Sequence, residues 1–409
     1  MSEKTKLVPK RRFKEFENAD AWEQCRLGEL GRVSSGNTPP TSEKENWAND
    51  YEGHVWITPT DIDSLVMSDS ERHLTDFGWE KARTVPANSV LITSVASIGK
   101  NTINAVPVAF NQQINAIVPE GNDAYFILSS MENEMPRFAG LAGQTATAII
   151  NKTEFEKFTL FVPAIQEQQK IGSFFTHLDN LITLHQRKLE KAKEIKSAYL
   201  SEMFPAEGER KPKRRFTGFT DAWEQWKLGE AFDFLPNNTL SRTDLNNENG
   251  EIQSVHYGDI LIKYGSVLDV ENEDISFITG GNPTDYKRHI LNNGDVLFAD
   301  TAEDETVGKA VEIQGTNGIP VVSGLHTMAC RPKIKFAPNY LGYYINSPAY
   351  HGQLRTLMQG IKVLSISKTN LSKTAVVFPT SEDEQNAIGK LFTHHDHLIT
   401  LHQRTQMLL

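Results

Sequence analysis

Residues Ile171–Arg187 read IGSFFTHLDNLITLHQR, and Ile388–Arg404 read IGKLFTHHDHLITLHQR. Thirteen of the 17 positions are identical, at a spacing of 217 residues. A second repeat supports the first. Pro9–Phe13 (PKRRF) returns at Pro212–Phe216, and Asp20–Gln24 (DAWEQ) returns at Asp221–Gln225. The 409-residue chain is therefore two copies of one plan, each a long variable segment followed by a nearly constant one.

The constant segment has the pattern of a helix. Between Ile171 and Met203 the only breaker is Gly172, and Pro205 stops the run. That predicts about 33 helical residues, roughly 50 Å long at 1.5 Å per residue. Ile171, Leu178, His185, Ala192 and Tyr199 recur every seven residues; Phe175, Ile182, Leu189, Lys196 and Met203 fill the other seam. Sustained heptads point to a coiled coil. The second constant helix is expected from near Asp383 to Leu409. Two such seams in one chain satisfy each other as an antiparallel pair. The expected interface joins Ile171, Phe175, Leu178, Ile182, His185 and Leu189 to Ile388, Phe392, His395, Ile399 and His402. His185 and His402 fall at matching seam positions, where a polar residue fixes register at some cost in stability. The pair would hold two similar domains at a fixed separation, related by an approximate two-fold axis. Only five residues follow Arg404. The helix pair is thus expected to be short at one end.

The variable segments read as mixed α/β (α+β) domains. Short β-branched runs broken by Gly, Pro and Asn predict strands at Val55–Thr58, Ser89–Val95, Thr102–Phe110, Gln113–Val118 and Phe158–Phe161. In the second copy the same signals predict strands at Ile252–Val255, Ile260–Ile262, Val296–Ala299, Val307–Ile313, Val321–Ser323 and Ala375–Phe378. Helices are expected at Ala124–Phe138 and, broken near Pro348, at Tyr340–Met358; Gly140–Gly143 reads as a loop. The implied boundaries are 1–165 and 206–380 for the two variable domains, with 166–205 and 381–409 as the helices.

Composition narrows the class. Hydrophobic residues make up 39% and charged residues 23%, ordinary values for a globular chain. No apolar run is long enough to span a membrane, and MSEKTKLVPKRRF lacks the apolar core of a secretory signal. Two cysteines cannot build a disulfide framework, so a reducing, cytoplasmic setting is expected. Taken alone, the net charge of −10 argues against a nucleic-acid partner, because neutralising phosphates needs Lys and Arg. Two local basic clusters stand out, however: Lys10, Arg11, Arg12 and Lys14, and Arg210 to Arg215. A solvated linker is the plain reading of each.

Catalytic signatures are missing. Gly99-Lys100 and Gly308-Lys309 lack the remaining residues of a phosphate-binding loop. Asn37–Thr41 (NTPPT) lacks the aromatic residue of the Asn-Pro-Pro motif of amino-methyltransferases. His394, His395, His397 and His402 suggest a metal site, but the first copy has Leu178 and Asn180 at two of the four positions, so no metal is expected. Asp300, Glu303, Asp304 and Glu305 fit an acidic turn, or a loop that accepts from cytosine N4, as well as a metal loop. A duplicated body without catalytic groups suits a binding protein that reads two half-sites. The helix overlap of about 22 residues spans roughly 33 Å, close to one turn of DNA.

The chain resembles the specificity subunit of type I restriction-modification enzymes over essentially its whole length. The matching stretches are LGELGRVSSGNTP (27–39), VWITPTDI (55–62), NSVLITSVASIGKNTI (88–103), AFNQQINAIVP (109–119) and NKTEFEKFTLFVPAIQEQQKIGSFF (151–175). The second copy adds VHYGDI (255–260), GDVLFADTAEDETVGKA (294–310), VVSGLHTMACRP (321–332) and ISKTNLSKTAVVFP (366–379). The resemblance implies two target recognition domains, each reading half of an interrupted double-stranded DNA sequence, held apart by the antiparallel helices. It implies two modification subunits that methylate adenine N6 with S-adenosylmethionine, and restriction subunits that use ATP and Mg2+. The chain itself would carry no cofactor and no catalysis.

Candidate DNA-reading residues are Ser35, Asn37, Thr38, Ser94, Ser97, Asn111, Gln112 and Gln113 in the first domain, and His256, Tyr257, Asp300, Thr301 and His326 in the second. Asn and Gln can pair bidentately with adenine. Each also suits a turn or cap. Lys10, Arg11 and Arg12, with Lys213, Arg214 and Arg215, are candidates for phosphate contact, which positions without specifying. Three alternatives stay open: a helical scaffold or inhibitor that binds no DNA, a truncated inactive allele, and a metal-dependent nuclease.

Overall fold

The computed structural model describes residues 6–49, 52–142 and 148–408. Gly143 of the expected loop, the first five residues and Leu409 lie outside the described residues. The chain divides into two compact units, Met1–Thr183 and Leu184–Leu409. The division falls inside the first long helix, Ile165–Glu202.

The first unit is built on a five-stranded sheet. Its order is Gly31–Ser35, Ile114–Pro119, Val90–Thr93, Asn101–Asn104 and Val66–Met67. The register pairs Ile117 with Val33 on one side and with Val90 on the other. The last strand joins in parallel, and the other pairs are antiparallel. A four-stranded sheet lies in the order Arg72–Leu74, His54–Ile57, Val108–Phe110 and Thr84–Val85, and its central pair is parallel. Trp22–Arg26 pairs with Lys6–Leu7 and with Thr159–Val162 in a three-stranded sheet. One core packs Leu27, Val90, Ile92 and Ile117 against the helix Ala124–Ala139, which turns Phe126, Ile127 and Met131 inward. A second core fills the space around Leu91, Phe110 and Ile114.

The second unit repeats the five-stranded sheet strand for strand, while its smaller sheets differ. Its five-stranded sheet runs Phe232–Leu235, Thr327–Pro332, Val296–Ala299, Ala310–Gln314 and Val267–Asp269, again with a parallel final pair. Gln253–Val255 pairs in parallel with Val321–Ser323, as His54–Ile57 does with Val108–Phe110. Glu224–Lys227 pairs with Ala375–Phe378.

The mixed α+β architecture agrees with the sequence reading. One expected strand does not. Ile260–Ile262 belongs to the helix Tyr257–Ile262, capped by His256. Three consecutive apolar or near-apolar residues carry no period, so a buried turn of helix and a strand read alike. The expected Thr102–Phe110 strand is two strands separated at Ala105–Pro107.

The second long helix is Glu382–Leu408. Within the second unit it pairs antiparallel with the end of the first. His185 meets His402 at 3.2 Å between Nδ1 atoms, Lys196 binds Asp396, and Phe204 stacks on Phe392. Each helix starts alike. Gln168 donates to the Pro163 carbonyl at 3.0 Å, and Gln385 to the Pro379 carbonyl at 2.7 Å. Tyr125 donates to Asp179, and Tyr343 to Asp396, both at 2.7 Å. A side chain at Gly172 would fall 2.2 Å from the Asp123 carboxylate, and one at Gly389 would fall 2.9 Å from the Pro338 carbonyl. The glycines let each helix lie close against its own domain.

Candidate nucleic-acid interface

In the second unit, all five expected DNA-reading residues come together at one end of the sheet. Asp300 follows the strand Val296–Ala299, and His326 precedes Thr327–Pro332. Their backbones are joined by Asp300 N–H donating to the His326 carbonyl at 3.0 Å. The His326 ring lies 3.2 Å from the Asp300 carboxylate, and Thr301 donates to the same carboxylate at 2.8 Å. Tyr257 meets the His326 ring edge-on at 5.3 Å and packs on His256 at 4.6 Å. His326 is exposed with φ of +53°, a left-handed backbone that turns its ring outward from the strand end. His256 is 8% exposed, and its Nδ1 accepts from Gly258 N–H at 3.1 Å. Burial, then Arg242, lower its pKa, so the ring stays neutral and keeps that bond. His256 thus shapes the turn, while Tyr257, Asp300, Thr301 and His326 form its polar face.

The first unit presents the same frame with different side chains. Ser94 N–H donates to the Gln113 carbonyl at 2.8 Å, where the second unit has Asp300 and His326. Ile150 N–H then binds the Ser94 carbonyl at 2.8 Å, as Ile366 N–H binds Asp300 at 2.9 Å. Ser97, Asn111 and Gln113 line one cleft of about 440 Å³, together with Thr58–Asp61, Glu71 and Arg72. The other five candidates lie outside it. Ser94 is 2% exposed and binds buried Asn115 at 2.9 Å, which leaves it no surface for a ligand. Ser35 donates to the other end of Asn115 at 2.5 Å. Asn37 is spent on the backbone, donating to Lys81 O at 2.9 Å and accepting from Arg83 N at 2.6 Å. Thr38 donates to Gln112 at 2.5 Å, so that pair forms a separate exposed contact.

Two features escaped the sequence reading. Arg72 lies over Trp47 at 3.8 Å and reaches the same cleft, exposed, with its guanidinium stacked rather than salt-bridged. Such a planar fork suits guanine or phosphate. The second feature is the role of the Gly-Lys pair of each copy, set aside above only as an incomplete phosphate loop. Lys100 donates to the carbonyls of Pro59 and Ile62 at 3.1 and 3.2 Å. Lys309 donates to Leu261 and Tyr264 at 3.0 and 2.9 Å. Each ammonium therefore ties together the turn that borders the polar face. Gly99 and Gly308 hold φ of +103° and +83° so that the lysine can reach it. The repetition of Gly-Lys in both copies was the available signal.

The basic clusters need a correction. Arg12 donates to both oxygens of Glu167 at 2.7 and 2.6 Å, and to the carbonyls of Ala19 and Asp20. Arg215 holds Glu384 the same way and also binds the Asp221 carbonyl. Both arginines pin the first turn of a long helix to its domain and are not free for phosphate. Arg214 is bound to Glu202 at 2.6 Å. Lys10, Arg11 and Lys213 are exposed.

Of the seam residues, Leu189, Ile388 and Phe392 are buried, and Ile171, Leu178, Ile182, His185, His395, Ile399 and His402 are partly buried. Phe175 departs from the seam reading at 37% exposed. His395 binds the Leu391 carbonyl of its own helix at 2.8 Å. Among the described residues no group of three or more His, Cys, Asp or Glu side chains is placed to hold a metal. No described helix is long and apolar enough to cross a membrane.

Comparison with known proteins agrees with this duplicated plan. The type I restriction enzyme MjaIX specificity subunit of Methanocaldococcus jannaschii is 24% identical over 296 residues, 69% of this chain and 66% of that one. The EcoR124I/EcoR124II specificity subunit of Escherichia coli is 30% identical over 166 residues, 38% of this chain and 40% of that one. The chain thus spans less than two thirds of the length of these relatives. The crystal structure of a type I restriction-modification S subunit from M. genitalium shares the fold, with a TM-score of 0.57 at 12% identity, covering 98% of this chain and 95% of that one. The family described as type I restriction modification DNA specificity domain matches residues 19–194 and 220–408. With both halves matched, the chain belongs to that family of type I restriction-modification specificity subunits.

Proposed function

We propose that this chain is the DNA sequence-recognition subunit of a type I restriction-modification complex. Residues 1–165 and 206–380 each read half of an interrupted double-stranded target, and the helices 166–205 and 381–409 serve as spacer. The observation that carries this is the equivalence of two frames. The same main-chain bonds hold Ser94 and Gln113 in one unit and Asp300 and His326 in the other. A constant frame with different polar side chains is what two readers of different base sequences require.

The chain contributes recognition and no chemistry. Two modification subunits bring S-adenosylmethionine for adenine-N6 methylation, and restriction subunits bring ATP and Mg2+, in the cytoplasm. In the first unit the base-reading groups are Ser97, Gln113 and Arg72, with Asn111, 8% exposed, bonded through both amide atoms to Gln113. In the second they are Tyr257, Asp300, Thr301 and His326. Lys10, Arg11 and Lys213 supply exposed positive charge for phosphates.

Genome-wide mapping of methylated adenine, in cells with this chain and its modification subunit and in cells without it, tests the proposal. One interrupted motif, methylated only when the chain is present, is the expected result. An intact complex that adds no methylation, and whose DNA affinity is insensitive to salt, would favour the scaffold reading instead.

A further inference from the structure

Arg72, Asp61 and Glu71 line the first-unit cleft together, and the acids do not neutralise the arginine. The Arg72 guanidinium instead lies over Trp47, 3.8 Å from the ring centre, and 5.4 Å from that of Trp56. This support is built into the fold. Arg72 and Trp56 face each other across paired strands. Trp47 meets Trp56 edge-on at 4.9 Å, and Trp56 is 3% exposed. The indole N–H groups of Trp47 and Trp56 donate to the carbonyls of Pro40 and Asn37, each at 3.4 Å. Asp61 is occupied within its own turn. It accepts from the Thr58 and Glu71 N–H groups at 2.7 and 2.9 Å, and from the Thr58 hydroxyl. Among the described residues, neither the Arg72 guanidinium nor the Glu71 carboxylate makes a hydrogen bond or an ion pair.

The second unit treats the same place differently. Val255–Ile260 (VHYGDI) aligns with Ile57–Ile62 (ITPTDI), which puts Asp259 at the place of Asp61. Arg242 grips both Asp259 oxygens, at 2.9 and 2.7 Å. That arginine is spent on the frame, whereas Arg72 keeps its N–H groups for a ligand.

Two ligands accept from such a fork, a phosphate and the edge of a guanine. The acids decide between them. A phosphate in this cleft would stand against Asp61 and Glu71, like charge against like. A base edge is uncharged. Guanine offers N7 and O6 side by side, matching two guanidinium N–H groups, and the cytosine paired with it offers an N4 amine to a free carboxylate such as Glu71. Stacking on Trp47 sets the plane of the fork before DNA arrives, so less freedom is lost on contact.

We propose that Arg72 reads a guanine in the half-site of the first unit, and that Trp47 is the positioning residue that holds its plane. The inference rests on the DNA-reading role proposed above and adds one G·C pair to the target.

The test uses the chain assembled with its modification subunit, and duplexes carrying the mapped target in which each guanine in turn is replaced by 7-deazaguanine. That base lacks the N7 acceptor and still pairs with cytosine. One such replacement, in one half-site, should weaken binding by the unaltered complex about tenfold. Arg72→Ala, at an exposed position, should weaken binding to the unmodified target by a similar factor. It should be indifferent to that one replacement and keep its response to those in the other half-site. Trp47→Leu should lower discrimination at the same guanine about threefold, and Trp47→Phe should restore most of it. The unchanged response in the other half-site separates positioning from a loss of folding. An Arg72→Ala complex that loses affinity for every duplex alike, with a shallower salt slope, would make Arg72 a phosphate contact and overturn the proposal while leaving the DNA-reading role in place. So would a variant that responds to every replacement as the unaltered complex does. A complex with no preference among duplexes would remove the DNA-reading role, and the proposal with it.

Discussion

The Arg215 guanidinium grips both carboxylate oxygens of Glu384, at 2.6 and 2.8 Å, and Arg12 repeats the grip on Glu167. Glu384 is 1% exposed, and its hydrogen bond raises the Arg215 pKa. Removing one partner strands a buried charge, whereas replacing both with apolar groups does not. Arg215→Met is expected to cost about 2 kcal/mol or more. The double variant Arg215→Met/Glu384→Leu should recover much of that loss. Urea unfolding followed by circular dichroism measures both. Equal losses in the single and double variants would mean that the pair does not act as a buried unit.

His326 stands exposed at a strand end, and its substitution leaves the core untouched. His326→Ala should cost about 2 kcal/mol of discrimination at one base pair of one half-site, with the other half-site unchanged. Lys10→Glu should instead weaken binding evenly across sequences and reduce the salt slope by about one. Titrations against target and altered duplexes at several salt concentrations separate the two effects. A His326 variant that loses affinity for every sequence alike would place that residue among the backbone contacts.

Tyr340, Tyr344 and Tyr350 are buried together in the second unit, at 0%, 1% and 0% exposure. Burial raises the pKa of each above its ordinary value of 10.0, and that of Tyr343 as well. An unfolded chain gives up those protons near pH 10, while the folded one keeps them. The stability they contribute is therefore complete below about pH 10 and falls as pH rises further. Tyrosinate absorbance should rise cooperatively, together with loss of helical signal. Gradual ionisation near pH 10 in a chain that stays folded would show that solvent reaches these rings.

His185 and His402 share one hydrogen bond between Nδ1 atoms, so one must donate and the other accept. Replacing one leaves its partner unsatisfied in the seam. His185→Leu alone should destabilise the helix pair, and His185→Leu/His402→Leu should regain or exceed the original melting temperature. Additive effects in a double-mutant cycle would exclude the shared bond.

The long helices were legible because their heptads lie within a repeated stretch, and each copy checks the other. Short apolar runs bounded by breakers, such as Val296–Ala299 and Val321–Ser323, were equally plain. Ile260–Ile262 was not, because three residues are too few to reveal a period. The site was legible in part. The second-unit candidates meet in space, but Ser94 and Asn37 are consumed by partners far off in sequence. Arg12 and Arg215 misled for the same reason. A run of basic residues outside any predicted element looks like a solvated arm until the glutamate that neutralises each arginine, more than 150 positions away, is placed beside it.

Lys100 and Lys309 hold their turns by main-chain oxygens alone. Every residue type offers the same carbonyl, so the supporting bonds are blind to what the turn displays. The side chains displayed there can differ between the two units without any change in these bonds. Two lysines thus separate what the frame requires from what its surface presents.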